Sequence, residues 1–374
     1  MLDQIFEYLK QNTEEVYQLT LEDTSILSKL NQHPENIFDF IIRVQGKRVF
    51  VLIDEIQYLD NPSNFLKLLF DKYSGEIKII ATGSSAFYID RKFKDSLAGR
   101  KRLFDLYTLD LEEFLYFRTG SNDLVIELER IRTNEMYIST RRNELNNYFV
   151  EYLTYGGYPA VVLANGRDKK NDVLKELSGS FLKRDISESN IQDQNKFYQL
   201  LIVLAQQTGS LVNTNELSRL LSLSVTAVEN YLYVLQKCFY ISLMRPFYKN
   251  IRKELTKMPM VYFHDLGFRN ILLNQFLPPD QRLDKGMLIE NYAYTRLRNL
   301  YGNDQLRFWR TADGNEIDFI HVRSPEKGEA IEIKFNEKGY NPAKYRKFLE
   351  AYPEYTMSCR AFVAQDNKQS LLAL

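Results

Sequence analysis

The chain has 374 residues, of which 44% are hydrophobic and 26% charged, enough for two or three domains at roughly 100–200 residues each. That composition excludes wholesale disorder, a collagen-like repeat and a disulfide-stapled miniprotein. Lys and Arg together number 49, as do Asp and Glu, so any contact with nucleic acid must come from local patches rather than a global positive field.

In chain order, Leu2, Ile5, Phe6 and Leu9 fall on one face of an expected helix over Met1–Lys10. Val16 to Leu21 alternates and is β-rich, and a second helix is expected around Pro34–Arg43. Val49-Phe50-Val51-Leu52-Ile53 is a continuous apolar run ending at Asp54-Glu55, the pattern of a strand buried on both faces of a parallel sheet. Phe65, Leu66, Leu68, Leu69 and Tyr73 supply a crossover helix, and Ile77, Ile79 and Ile80 open a strand that ends at Ala81-Thr82-Gly83-Ser84. Strand–helix–strand units of this length imply an α/β layer.

From about 110 to 205 the pattern is mainly helical, interrupted at Tyr155-Gly156-Gly157-Tyr158-Pro159. Asn213 with Glu216 three residues later marks a helix start, and Ser224 is a second cap before Val225, Val228, Leu232 and Leu235. Two β-rich runs follow, Phe239–Met244 and Met260–Phe263. Helix–turn–helix followed by a hairpin is the outline of a winged helix. Beyond Leu277-Pro278-Pro279-Asp280 come a helix near 286–300, strands near 305–310, 316–322 and 330–335, and a last helix over Pro342–Tyr352. No run reaches about 20 mostly apolar residues and no secretory signal is evident, so the expected compartment is the cytoplasm and no membrane partner is expected. Cys238 and Cys359 read as small buried hydrophobes.

Three groups of residues carry candidate chemistry. At the carboxyl end of a buried parallel strand, Asp54 is placed to hold Mg2+ and Glu55 to orient a hydrolytic water, the Walker B arrangement. Thr82 and Ser84 end the neighbouring strand at the same rim. No G-x-x-x-x-G-K-[ST] occurs anywhere in the chain, and the Gly46-Lys47 pair is followed by Arg48. The phosphate-cradling loop of such a site is therefore absent from this sequence, which reads as beginning just past its own phosphate site.

The segments VFVLIDEIQYL (49–59), IIATGSSAF (79–87), SLAGRKRLFDLYTLDLEEFL (96–115), YLTYGGYPAVV (152–162), GNEIDFI and EAIEIKF (314–335) resemble those of bacterial and archaeal AAA+-type ATPases that carry a C-terminal domain of unknown function with nuclease-like motifs. The resemblance implies ATP as cofactor, Mg2+ through Asp54, Glu55 as the catalytic carboxylate and Ser84 as the sensor residue. It also implies Arg100 as a phosphate-contacting or subunit-interface arginine. A second copy of the chain, as a homo-oligomer, is a candidate partner. The missing glycine-rich loop predicts weak ATP binding or none.

The second group is C-terminal. Asp318 lies in one expected strand, and Glu332-Ile333-Lys334 in the next, where alternation puts Glu332 and Lys334 on one face. Asp318 and Glu332 could hold Mg2+ while Lys334 positions a water or stabilises phosphate charge. Glu290 on the preceding helix would be a further metal ligand. This is the D…E-x-K pattern of the restriction-endonuclease-like fold. The third group is basic: Arg245, Lys249, Arg252, Lys253 and Lys257 against Glu254 make 245–257 a candidate DNA contact, read as a connector or weak binder. A second basic cluster runs over 91–102.

The expected architecture is α/β. It comprises a P-loop-NTPase-like parallel sheet lacking its P-loop (1–118), a helical lid or linker (119–207), a winged-helix-like domain (208–278) and a restriction-endonuclease-like α/β domain (279–374). The expected function is that of an AAA+-type ATP-binding protein or ATPase. The alternatives are a Mg2+-dependent nuclease module and a non-catalytic DNA-binding or regulatory protein.

Overall fold

Strand β2 (Val49–Asp54) owes its place to its side chains: Val49, Val51, Leu52 and Ile53 are all buried, each contributing on the order of 1.5–3 kcal/mol. A strand apolar on both faces must sit between neighbours, and β2 is the middle strand of a three-stranded sheet with β1 (Val16–Thr20) and β3 (Ile77–Ala81). Both pairings are parallel, with Thr20 opposite Asp54 and Ile53 opposite Ala81. The computed structural model describes every residue except 13, 14, 45, 84–96, 190, 249, 250, 312 and 325, and the backbone alone at 188, 251 and 253.

Helix α1 (Leu2–Asn12) precedes β1, and α3 (Pro62–Tyr73) crosses between β2 and β3. Proline at its first turn and Asn61, whose side chain accepts from the Asn64 amide at 3.0 Å, start α3. Between β1 and β2 the chain departs from expectation. The helix there is α2 (Thr24–Gln32), opened by Asp23, and Pro34–Asp39 forms only a 3-10 turn. Pro34 is the cause: it forces the residue before it out of the helical region, and His33 is extended at φ −157°.

The chain divides into two units, Met1–Leu106 and Tyr107–Leu374. Leu109, Leu111, Phe114 and Leu115 bury themselves in the core of the second unit. That one core also takes Phe149 and Leu153, Tyr262 and Leu266, and Tyr292, Phe319 and Ile331. Parts of the regions expected as 119–207, 208–278 and 279–374 thus contribute to one core.

The second unit begins with six helices: α4 (Leu111–Thr119), α5 (Asp123–Thr133), α6 (Arg142–Tyr155), α7 (Pro159–Leu163), α8 (Arg167–Glu188) and α9 (Gln194–Gln206). The Gly156-Gly157 motif between α6 and α7 has a packing explanation. The Leu109 amide donates to the Gly157 carbonyl, and the Gly157 amide donates to the buried Asp265 carboxylate at 2.8 Å. A Cβ on Gly157 would lie 2.1 Å from the Leu109 carbonyl oxygen, and Gly156 has φ +74°, so neither position accommodates a side chain.

Helices α10 (Thr214–Leu221) and α11 (Val225–Lys237) start at the expected caps, Asn213 and Ser224. Strands β4 (Ile241–Met244) and β5 (Met260–Phe263) pair antiparallel, joined through a short helix, α12 (Ile251–Thr256). Helices α13 (Leu266–Leu273) and α14 (Lys285–Tyr301) then lead to a second sheet, ordered β6 (Leu306–Arg310), β7 (Glu316–Ser324), β8 (Lys327–Asn336) and β9 (Tyr355–Val363). The first three strands run antiparallel and β9 lies parallel to β8. β9 was not expected. The final helix is also shorter than expected, a 3-10 turn at Pro342–Tyr345 followed by α15 (Arg346–Ala351). Cys359 is buried as expected and Cys238 is half-buried; neither is disulfide-bonded.

Candidate functional site

At the carboxyl rim of the first sheet, Asp54 ends β2 and the Thr82 hydroxyl donates to its carboxylate. The backbone holds the two strand ends together, with the Thr82 amide donating to Ile53 O and the Ile56 amide to Thr82 O, each at 2.9 Å. Glu55 turns the chain in the left-handed region at φ 56°, ψ 46°, a conformation a non-glycine residue adopts at a cost of order 1 kcal/mol. Its carboxylate accepts from the side-chain amide of the buried Gln57. Asp54 and Thr82 form a set of hard oxygen donors suited to Mg2+.

The remaining expected members of that site are not gathered there. Ser84, like Arg91, Lys92 and Lys94 of the basic cluster, lies outside the described residues. Arg100 donates to Asp71 at 2.7 Å. Asp71 is in the last turn of α3, and α3 runs back from the Asp54 end of the sheet to the start of β3, so this pair holds Arg100 away from the rim. Lys47 precedes β2, at the strand end opposite Asp54. The donor set fits a Mg2+ ion; no glycine-rich phosphate cradle accompanies it among the described residues.

The second site is a fork in the C-terminal sheet. The β7–β8 ladder pairs Phe319 with Ile331, and beyond that pair the Asp318 carboxylate itself accepts the Ile333 amide at 2.7 Å. Glu332, 1% exposed, accepts from Lys334 through Oε1, while its buried Oε2 has no partner. Burial, followed by the adjacent Glu332 charge, pushes the Asp318 carboxyl up to about 8. Burial works against the Lys334 ammonium, but the hydrogen bond and charge of Glu332 more than offset it and raise its pKa.

Asp318, Glu332 and Lys334 thus meet as expected, but Glu290 does not complete a three-carboxylate cage. Among the described residues no group of three or more His, Cys, Asp or Glu side chains is arranged to hold a metal ion. The Glu290 carboxylate on α14 instead accepts from the Tyr262 hydroxyl at 2.7 Å and lies against Gly209. Burial and the Asp318 charge drive its pKa well above the ordinary carboxylate range. The Asp318–Glu332 pair still suits Mg2+, which commonly takes one or two carboxylates and keeps several waters. The buried Glu332 Oε2 has no hydrogen-bond partner, the kind of atom that a water or an ion satisfies.

Two neighbours of the fork were not foreseen. Glu316, paired with Arg310 at 3.1 Å, adds to the negative potential at Asp318, and Cys359 lies opposite Glu332 in the β8–β9 register. Glu316 was visible two residues before Asp318, whereas Cys359 required knowing that β9 exists.

The basic segment is less free than the sequence implies. Phe247 donates its amide to Phe308 O at 2.6 Å, the Phe308 amide donates to Arg245 O, and the Phe247 ring packs on Tyr352 and Tyr355. Glu254 binds Arg307 at 2.6 Å. The chain between β4 and β5 is thus fastened to β6. Arg252 and Lys257 are exposed, Lys249 lies outside the described residues and the Lys253 side chain is not described. Among the described residues no helix is long and apolar enough to cross a membrane.

Comparison with known proteins divides the chain in a related way. Residues 1–115 match the family model of an AAA domain, residues 146–278 a domain of unknown function (DUF8612), and residues 285–372 another (DUF4143). An uncharacterized protein of Methanocaldococcus jannaschii is 25% identical over 324 residues, covering 84% of this chain and 65% of that protein. One of Haemophilus influenzae is 24% identical over 291 residues, covering 75% and 64%. One of Mycobacterium tuberculosis is 23% identical over 303 residues, covering 79% and 61%. The chain spans a little under two thirds of the length of these relatives. Its first unit is AAA-like, which supports an ATPase-type function.

Proposed function

We propose that this chain is an AAA-type ATP-binding protein whose first unit supplies the Mg2+ side of a nucleotide site. The observation that carries this reading is the Asp54–Thr82 contact at the carboxyl rim of a parallel sheet, in a region that matches an AAA domain. Asp54 and Thr82 would hold Mg2+, directly or through water, and Glu55 would orient the attacking water. ATP bound there would present the phosphoryl group on which that water acts. The test is ATP titration and hydrolysis by the full chain, its Asp54→Asn form and its Glu55→Gln form. Without a glycine-rich loop and its lysine, ATP affinity is expected to be weaker than micromolar, and any hydrolysis is lost in both variants. Hydrolysis unchanged by both substitutions, or none at any ATP concentration, overturns the assignment.

A second activity is favoured by the partnerless Glu332 Oε2 beside Asp318. In this reading Asp318 and Glu332 would hold Mg2+, whose chemistry there would be to polarise a phosphodiester. Lys334 stabilises charge developing on the phosphate oxygens. DNA is the proposed substrate, met by the exposed Arg252 and Lys257 and by the C-terminal sheet. The helix–turn–helix and hairpin serve as a winged-helix-like connector. Its second helix carries Glu229 and largely uncharged residues, which provides few groups for reading bases.

A further inference from the structure

Glu332 Oε2 is not the only partnerless atom at the fork. Tyr345 is 1% exposed, and its hydroxyl is likewise buried without a hydrogen-bond partner. Its surroundings fix where that hydroxyl points. Tyr345 closes the 3-10 turn Pro342–Tyr345, which Asn341 caps by accepting the Ala343 amide at 3.1 Å. The ring stacks on Tyr340 at 5.6 Å and belongs to the buried cluster with Phe348 and Tyr355. That cluster also takes Ala330, which alternation puts on the same face of β8 as Glu332. A Cβ on Gly339 would lie 3.7 Å from Lys334 Cδ, so the segment carrying Tyr345 runs along the fork and its hydroxyl, a donor, lies beside the Glu332 carboxylate.

Two neighbouring buried polar groups left without a closed hydrogen bond are costly, and each calls for an explanation such as a bound water or ion. The oxygen of Glu332 not held by Lys334 is the one left for a cation. We propose that Tyr345 is a positioning residue of the fork, donating its O–H to the free side of the Glu332 carboxylate and holding that carboxylate toward a divalent cation. This rests on the reading of the fork as a Mg2+ site. Partners that orient ligating carboxylates in this way typically govern metal affinity by 10–100-fold.

Mn2+ binding to the full chain, followed by the electron paramagnetic resonance of the free ion, tests the proposal on the wild type, Glu332→Gln and Tyr345→Phe. Glu332→Gln is expected to abolish the saturable site. Tyr345→Phe, which keeps the ring and its packing, is expected to weaken it about ten-fold while leaving the melting temperature unchanged or slightly higher. A tyrosine ultraviolet difference signal on Mn2+ addition is expected in the wild type and lost in Tyr345→Phe, a change that a purely structural role would not produce. Unaltered binding in Glu332→Gln, or none in the wild type, overturns the metal reading and the proposal with it. Loss in Glu332→Gln with wild-type affinity in Tyr345→Phe overturns the role of Tyr345 and leaves the metal reading standing.

Discussion

The two acidic sites differ in what their own sheet supplies. At the rim, Asp54 has a hydroxyl partner in Thr82, while the arginine expected to serve it is bound to Asp71 at 2.7 Å and no phosphate cradle stands beside it among the described residues. At the fork, two buried carboxylates, a half-buried lysine and a backbone amide converge from adjacent strands. A parallel strand end offers a carboxylate at low energetic cost, because water and hydroxyls solvate it. A carboxylate driven into a sheet is expensive. The fork therefore carries a larger standing cost in the metal-free protein than the rim does.

That contrast can be broken by substitution, and the largest effect belongs to the fork. Lys334→Ala leaves the Glu332 carboxylate inside without a counter-charge and is expected to destabilise the second unit by about 3 kcal/mol. Denaturant titration followed by the fluorescence of Trp309, the single tryptophan and a buried residue of β6, measures it. A loss below about 1 kcal/mol would mean the pair behaves as a surface ion pair. The next effect has the opposite sign. Asp318 holds its proton up to about 8 in the folded chain, against 3.8 for the free side chain. Between those values the folded state binds more protons than the unfolded state, so stability falls as pH rises from about 4 to 8. Asp318→Asn keeps an acceptor for the Ile333 amide and removes this loss. It should stabilise the metal-free protein by about 1–2 kcal/mol at pH 8, with little effect near pH 4. Equal effects at the two pH values would contradict the argument. The smallest effect belongs to the rim: Thr82→Val removes one hydrogen bond and should cost about 1 kcal/mol, read from hydrogen exchange of the β2 amides. A cost of several kcal/mol there would make the rim as tightly built as the fork.

The sequence was most readable where burial is two-sided. The β2 run from Val49 to Ile53 and its parallel partners appear where expected, as do Asp54 at the strand end and the shared face of Glu332 and Lys334. Local caps at Asn213 and Ser224 were equally legible because their hydrogen bonds span three residues. What escaped depends on distant segments. Strand β9 mixes Thr356, Ser358 and Arg360 with its apolar residues and gains its identity only by pairing with β8. Helix α2 was hidden because its cap, Asp23, precedes a weakly apolar stretch. The contact of Tyr262 with Glu290 and the approach of Tyr345 to Glu332 join residues on different elements, and no spacing rule announces them. The break in the helical pattern at Gly156-Gly157 was visible, but its reason, contact with Asp265 and Leu109, lies about 50 to 110 residues away along the chain.

The inequality of the two sites is tested most directly by assaying the full chain for Mg2+-dependent cleavage of DNA, with and without ATP, alongside Asp318→Asn and Glu55→Gln. The account predicts cleavage that requires Mg2+ and not ATP, is lost in the more stable Asp318→Asn protein and persists in Glu55→Gln. Absence of cleavage across varied DNA and RNA substrates, or cleavage that survives Asp318→Asn, would contradict it.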